Sequence, residues 1–131
     1  MVIVDTTVWI DYLNGIQTAQ TEWLDAQLER QRLGLTDLIL CEVLQGVRDE
    51  RQAEETRVAL SALEIVSMSG VDLAVAAARN YRRLRARGRT VRRTIDCLIA
   101  TFCLMNGHTL LHNDHDFDPF EEILGLSAVH V

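Results

Sequence analysis

Short apolar runs alternate with longer stretches of helical period along this chain, and most runs end where a hydroxyl or carboxylate residue opens a helix. Runs of four or five apolar or β-branched residues suit buried strands, and longer segments with apolar residues three and four apart suit helices. Met1 to Asp5 reads as a strand, with Thr6 and Thr7 offering hydroxyls to cap a helix to about Leu13. Asn14-Gly15 breaks it, and Thr18 through Arg30 resumes a helix. A strand near Leu33 to Leu35 precedes a helix opened by Thr36 and Asp37 and closed near Gly46. A further helix to about Leu63 leads to a strand over Glu64 to Met68 and a turn at Ser69-Gly70. Val71 to Arg85 carries an apolar helical face at 71, 74, 75, 77 and 78. Thr90 or Thr94 caps the next helix, which stops at Gly107. Thr109 to His112 is a strand, Pro119 to Leu124 a short helix, and Ala128 to Val131 a final strand. Strands alternating with helices predict an α/β/α sandwich around a mainly parallel central sheet. The 131 residues fit one domain, residues 1–131, with no linker or repeat.

Four acids sit in unusually apolar company. Asp5 closes Val2-Ile3-Val4, Glu42 lies in Ile39-Leu40-Cys41-Glu42-Val43-Leu44, Asp96 in Ile95-Asp96-Cys97-Leu98-Ile99, and Asp114 shortly after Leu110-Leu111. A buried carboxylate costs several kcal/mol unless it is paired, protonated or bound to a metal. Asp5 and Asp114 both follow the carboxyl ends of predicted strands, where open parallel sheets bind ligands. Glu42 and Asp96 need only face the same crevice. Each acid also has an ordinary explanation: a helix or turn cap for Asp5 and Asp114, a surface position for Glu42, and an early-turn acid favoured by the helix dipole for Asp96.

Composition narrows the alternatives. The longest apolar run, Cys97 to Met105, is well short of a membrane span, and Asp5 and Asp11 stand where a secretory signal carries positive charge. A cytoplasmic protein without a membrane partner is expected. Cys41, Cys97 and Cys103 lack C-x-x-C spacing and read as buried core thiols. The net charge of -6 disfavours a polyanion as partner, but the chain contains no lysine, and eight of its arginines crowd between Arg79 and Arg93. That stripe suits either ion pairs with surface acids or contact with phosphates. Trp9, Trp23, Tyr12 and Tyr81 read as core or interface residues in preference to base-stacking ones.

The series Val-Ile-Val-Asp5-Thr6-Thr7-Val-Trp-Ile, the Glu42 helix followed by Gly46, Thr90-Val-Arg92-Arg93-Thr94-Ile95-Asp96-Cys97-Leu98-Ile99-Ala100, and Asn113-Asp114-His115-Asp116-Phe117 resembles a PIN-domain ribonuclease. More narrowly, the chain is similar to VapC-type toxins of bacterial type II toxin–antitoxin pairs, over essentially its whole length. Thr7 stands where serine is commoner in that family, and His112 where threonine is frequent. The resemblance implies a metal-dependent endoribonuclease that cuts a structured RNA, transfer or ribosomal, leaving a 5′-phosphate and a 3′-hydroxyl. It implies Asp5, Glu42, Asp96 and Asp114 as catalytic residues, with Asp5, Asp96 and Asp114 holding Mg²⁺ or Mn²⁺ and Asp116 at the edge; all-oxygen ligands fit those ions. Thr7, Arg92 and Arg93 are the candidate substrate contacts. A VapB-type antitoxin is implied as partner, seated in a groove of the early helices around Trp9 to Leu13 and Trp23 to Leu28. A homodimer is also implied, with DNA reached only through the antitoxin.

Rivals lack their essential residues. Receiver domains and P-loop enzymes need a lysine, and a dehalogenase-like phosphatase wants an aspartate where Thr7 stands. No G-x-S-x-G elbow exists for a hydrolytic triad. His112, His115 and Asp116 suggest a histidine–metal hydrolase, but one loop does not supply a complete ligand set. The alternative from another class is a catalytically silent PIN scaffold that binds RNA or a protein partner without cutting.

Overall fold

The computed structural model describes all 131 residues. Four strands, β1 (Val2–Val4), β2 (Leu33–Thr36), β3 (Glu64–Val66) and β4 (Thr109–Leu111), form one sheet in the order β3-β2-β1-β4, with every neighbouring pair parallel. Between β1 and β2 lie α1 (Thr6–Leu13) and α2 (Ala19–Gln27); between β2 and β3 lie α3 (Asp37–Gln45) and α4 (Glu50–Leu60). The return from β3 to β4 carries α5 (Val71–Ala86) and α6 (Thr94–Asn106), and a 3-10 turn over His115–Phe117 leads into α7 (Asp118–Leu124). Two helix groups result: α1 packs on α2 and α3, and α3 on α4, while α5 packs on α6 and α7. Right-handed crossovers put these groups on opposite faces, because the chain moves one way through β1, β2 and β3 and then returns to the far side of β1. The reversal falls between β1 and β4, so the crevice beyond their carboxyl ends is the place where this topology binds ligands.

Local chemistry fixes the elements, in places differently from the sequence expectation. The N-cap of α1 is Asp5, whose side chain accepts the Thr7 N–H; Thr6 and Thr7 are already helical and spend their hydroxyls elsewhere. Thr18 and Thr21 form a capping box at α2, and the Thr36 hydroxyl accepts the Ile39 N–H at α3. Neither Thr90 nor Thr94 caps α6: Arg93 is its N-cap, without a side-chain bond, and Thr94 is its first helical residue. Gly107 ends α6 in the left-handed conformation at φ 68°, which a side chain would strain. Gly34 is required for another reason, since a Cβ there would come within 2.6 Å of the Glu64 carbonyl on the neighbouring strand. The expected last strand does not form. Ala128 makes one bridge to Leu110, and His130 and Val131 run exposed past the end of three-residue β4.

The core runs through both helix layers, with Trp9, Ile3, Leu35, Ile39, Ile99, Leu110, Leu111, Phe117 and Phe120 almost fully buried. Phe117 and Phe120 anchor the segment after β4; truncating either to alanine costs about 3–5 kcal/mol in typical cores. On α5 the buried residues are Leu73, Ala77 and Leu84, so Val71, Ala74, Val75 and Ala78 face outward, against expectation. Both faces of α5 carry apolar residues, and the larger leucines take the inside. Cys97 and Cys103 are buried as expected, but Cys41 is exposed on α3. Trp9 lies in the core, with Tyr12, Trp23 and Tyr81 packed against it. No helix is long and apolar enough to cross a membrane.

Candidate active site

Asp5 is held from three directions. Its N–H donates to the Leu111 carbonyl at 2.9 Å, tying the end of β1 to the end of β4, and its carbonyl accepts from Val8 and Trp9. Its Oδ2 accepts the Thr7 hydroxyl at 2.9 Å and the Thr7 N–H at 3.4 Å. The side chain is 1% exposed, and burial pushes its acid up to about pKa 6, opposed by the Thr7 hydroxyl and reinforced by the charge on Asp96. The cap and the buried acid are one residue; the two readings do not compete.

Asp96 occupies the first turn of α6, equally buried, and burial raises its pKa while Arg93 opposes the rise. Arg93 grips it with two parallel bonds, Nε to Oδ2 at 3.0 Å and Nη2 to Oδ1 at 3.1 Å. The same guanidinium lies 3.9 Å from Glu42 and 3.8 Å from Asp114. Asp114 opens the 3-10 turn, its Oδ1 accepting the Asp116 N–H at 2.9 Å, while Arg92 pairs with Asp116 at 3.1 Å. Asp96, Asp114 and Asp116 bring carboxylate oxygens within 4.8 Å of one another. Asp116, expected at the edge, is thus inside the tightest cluster. Its motif spacing was the available signal: Asp114 caps the 3-10 turn by accepting the N–H two residues on, which sets residue 116 beside it.

Glu42 reaches the crevice from α3, half-buried, and accepts the Thr6 hydroxyl at 2.6 Å. Thr6 was absent from the sequence candidates; only its neighbour Thr7 was singled out. The arginine stripe divides in two. Arg89, Arg92 and Arg93 pair with Glu122, Asp116 and Asp96, whereas Arg79, Arg82, Arg83, Arg85 and Arg87 make no ion pair. Arg92 is largely exposed and bonds through one nitrogen, leaving an edge free for an anion, whereas Arg93, half-exposed, directs all three nitrogens at acids.

Five carboxylates therefore meet two arginines at one end of the sheet, and negative charge remains in excess. The donors are all oxygen, with no thiolate or imidazole among them, which is the chemistry of a hard divalent ion such as Mg²⁺ or Mn²⁺. The residues fit such an ion: Asp96, Asp114 and Asp116 are close enough to share one, and Asp5 is a buried acid short of compensating charge. Beside this crevice, Ile10 and Leu13 of α1, Val43 of α3, Val47 just beyond it and Ala59 of α4 line an open groove of about 370 Å³, together with the polar Asn14, Gln52, Glu55 and Thr56. Trp9 is buried in the core, and none of Trp9, Trp23 and Leu28 lines the groove.

The PIN-domain family model matches residues 2–122. VapC ribonuclease Mb1587 of Mycobacterium bovis is 30% identical, the alignment covering 98% of this chain and 97% of the relative, and Ribonuclease VapC11 of Mycobacterium tuberculosis matches to the same extent. Among solved structures, VapBC2 from Rickettsia felis bound to a promoter DNA fragment superimposes with a TM-score of 0.78 at 19% identity, covering 98% of each chain. FitAcB from Neisseria gonorrhoeae gives 0.75 at 16% identity, covering 99% of this chain and 97% of that one. These two likenesses describe a shared fold.

Proposed function

The chain belongs to the PIN-domain family and, within it, to the VapC ribonucleases, and from that premise we propose that it is a divalent-metal-dependent endoribonuclease, the toxin of a type II toxin–antitoxin pair. Its substrate is a structured RNA, transfer or ribosomal, whose hydrolysis in the cytoplasm halts translation and growth. One observation carries this reading above the others: carboxylates from β1, α3, α6 and the turn after β4 converge at the sheet's switch point, with negative charge in excess.

Asp5, Asp96 and Asp114 would hold Mg²⁺ or Mn²⁺, with Asp116 joining them. When bound, such an ion supplies the positive charge that phosphodiester hydrolysis requires at the attacked phosphate. The chain's own residues do the positioning. Thr7 orients the Asp5 carboxylate, Thr6 holds Glu42 toward the crevice as the acid available to take a proton from an attacking water, and Arg93 keeps Asp96 in one rotamer. Arg92, with its free edge, and Arg93, half-exposed beside it, supply contacts to the RNA backbone, and the unpaired arginines of α5 extend a basic approach to them.

A VapB-type antitoxin fits the α1–α3–α4 groove, whose mixed lining, apolar on α1 and α3 and mostly polar on α4, suits an amphipathic helix. DNA is reached through that partner. The outward face of α5, with Val71 78% and Val75 55% exposed, supports a homodimer. Sequencing RNA 5′ ends after inducing the protein, with and without its antitoxin, tests the proposal directly. New 5′-phosphate ends at one RNA locus, abolished in Asp96→Asn and by antitoxin co-expression, are expected. RNA binding with no new ends would return the chain to the silent-scaffold class.

A further inference from the structure

Three of the chain's four histidines line one cavity that Asp114 also borders, although 18 residues of sequence separate the first from the last. His112 follows β4, His115 lies in the 3-10 turn, and His130 sits in the segment beyond α7. Together with Asp118 and Glu121 of α7 they line one open cavity of about 440 Å³. His112 Nε2 lies 2.7 Å from Glu121 Oε2, and His130 Nε2 lies 3.3 Å from Glu121 Oε1. His115 Nδ1 is 2.9 Å from Asp118 Oδ2, and the donor atoms of His112, Asp118 and Glu121 all fall within 4.8 Å of one another. Glu121 is only 17% exposed and His112 only 10%, so the centre of the cluster is fixed by packing while His115 and His130 are free to swing toward it.

We propose that this cavity is a second divalent-ion site, built of imidazole and carboxylate donors and selective for Zn²⁺-like transition ions over Mg²⁺, with His112, Asp118 and Glu121 as its frame and His130 as the closing ligand. The donor set distinguishes it from the all-oxygen crevice. Nitrogen ligands favour Zn²⁺, Co²⁺ and Ni²⁺, whereas Mg²⁺ retains oxygen and water. Donors about 2.0–2.1 Å from a tetrahedral ion lie roughly 3.3 Å apart, and the separations here reach that with small side-chain rotations. Loading the site has a definite cost. His112 Nδ1 accepts the Asp114 N–H at 3.3 Å, so Nε2 bears the ring proton and donates it to Glu121. An ion at Nε2 shifts that proton to Nδ1, and the Asp114 N–H loses its acceptor. Carboxylates from Asp118 and Glu121 and a second imidazole from His130 offset that loss. The sequence contained the histidines but concealed the site, because the missing ligands come from α7 and the tail.

Competition between the full chain and a chromophoric chelator for Zn²⁺, together with the visible spectrum of the Co²⁺-loaded chain, tests the proposal without reference to RNA cleavage. Zn²⁺ should bind in both the unaltered chain and Asp96→Asn, resist excess Mg²⁺, and weaken by about tenfold or more in Glu121→Gln and His130→Gln. The Co²⁺ spectrum should change in the same two variants. His130→Gln alters an exposed side chain and leaves the fold testable if Glu121→Gln does not. Affinity unchanged in both, or lost in Asp96→Asn, would overturn the proposal and leave the cluster as hydrogen bonds of α7 to the loop.

Discussion

Asp5 and Asp96 are each 1% exposed and set by regular structure, one at the end of a strand and one in the first turn of a helix; Asp114 and Asp116 are about a quarter to a fifth exposed and sit on a 3-10 turn. The same residue type does opposite work in the two places. In the deep pair, desolvation keeps the acid weak and creates a demand for positive charge; in the outer pair, partial exposure, the Asp116 N–H on Asp114 and Arg92 on Asp116 satisfy the carboxylates, which can adjust as a ligand arrives. A crevice with only deep acids would be costly to ionise, and one with only outer acids would have little reason to hold a cation. Together they make a rigid floor and an adaptable rim.

Removing a floor acid should have the largest consequence. Asp96→Asn is expected to reduce RNA cleavage by more than the 10- to 100-fold typical of residues supporting a metal ligand, and Asp116→Asn by less, as measured by initial rates at saturating Mn²⁺. Equal losses would erase the distinction between floor and rim. Stability should respond in the opposite sense. Asp5 titrates near 6 when folded against 3.8 when free, so both states are neutral below about pH 4, and only the unfolded chain ionises freely between 4 and 6. Fold stability of the metal-free protein therefore falls as pH rises through that window, by roughly 3 kcal/mol for a two-unit shift, and the loss persists above it. Asp5→Asn keeps an oxygen to cap α1 and should flatten that slope in chelator-treated protein, raising its melting temperature at pH 7. A slope unchanged by the substitution would mean that the floor carries no such penalty.

Smaller effects belong to the supporting groups. Thr6→Val removes the donor to Glu42 and should lower the cleavage rate by up to about tenfold without shifting the pH slope of stability. Arg92→Ala is the mildest change: it frees Asp116 and should reduce the salt dependence of RNA binding by somewhat under one unit of log–log slope, as one lost phosphate contact on a single strand would. An unaltered salt slope would assign Arg92 to Asp116 alone.

What the sequence made legible follows the same division. Asp5 and Asp96 were readable because strand runs, helix period and the Gly107 stop are local signals, and both acids interrupt apolar patterns. The rim was harder. Asp116 enters the cluster through a single 3-10 turn, and Arg92 meets an acid 24 residues away, a pairing that depends on packing between α6 and the turn, whereas Arg93 meets Asp96 three residues on. The phase of α5 was misjudged because alanine and valine mark both faces of that helix, and volume, not hydropathy, decides which side faces the core. Thr6 and Thr7 looked equivalent as caps, yet one hydroxyl serves Asp5 and the other crosses to α3.

The exposed thiol of Cys41 has a practical consequence. Cys97 and Cys103 are buried, and burial pushes the Cys103 thiol up to about 12, so neither competes for a maleimide at neutral pH in the folded chain. A single fluorophore can therefore be attached to the unaltered sequence, one residue from Glu42 and on the helix whose far end borders the α1–α3–α4 groove. Its emission would register arrivals in the crevice and in the groove from one fixed vantage point, and quenching kinetics could time the two events against each other without a single engineered cysteine.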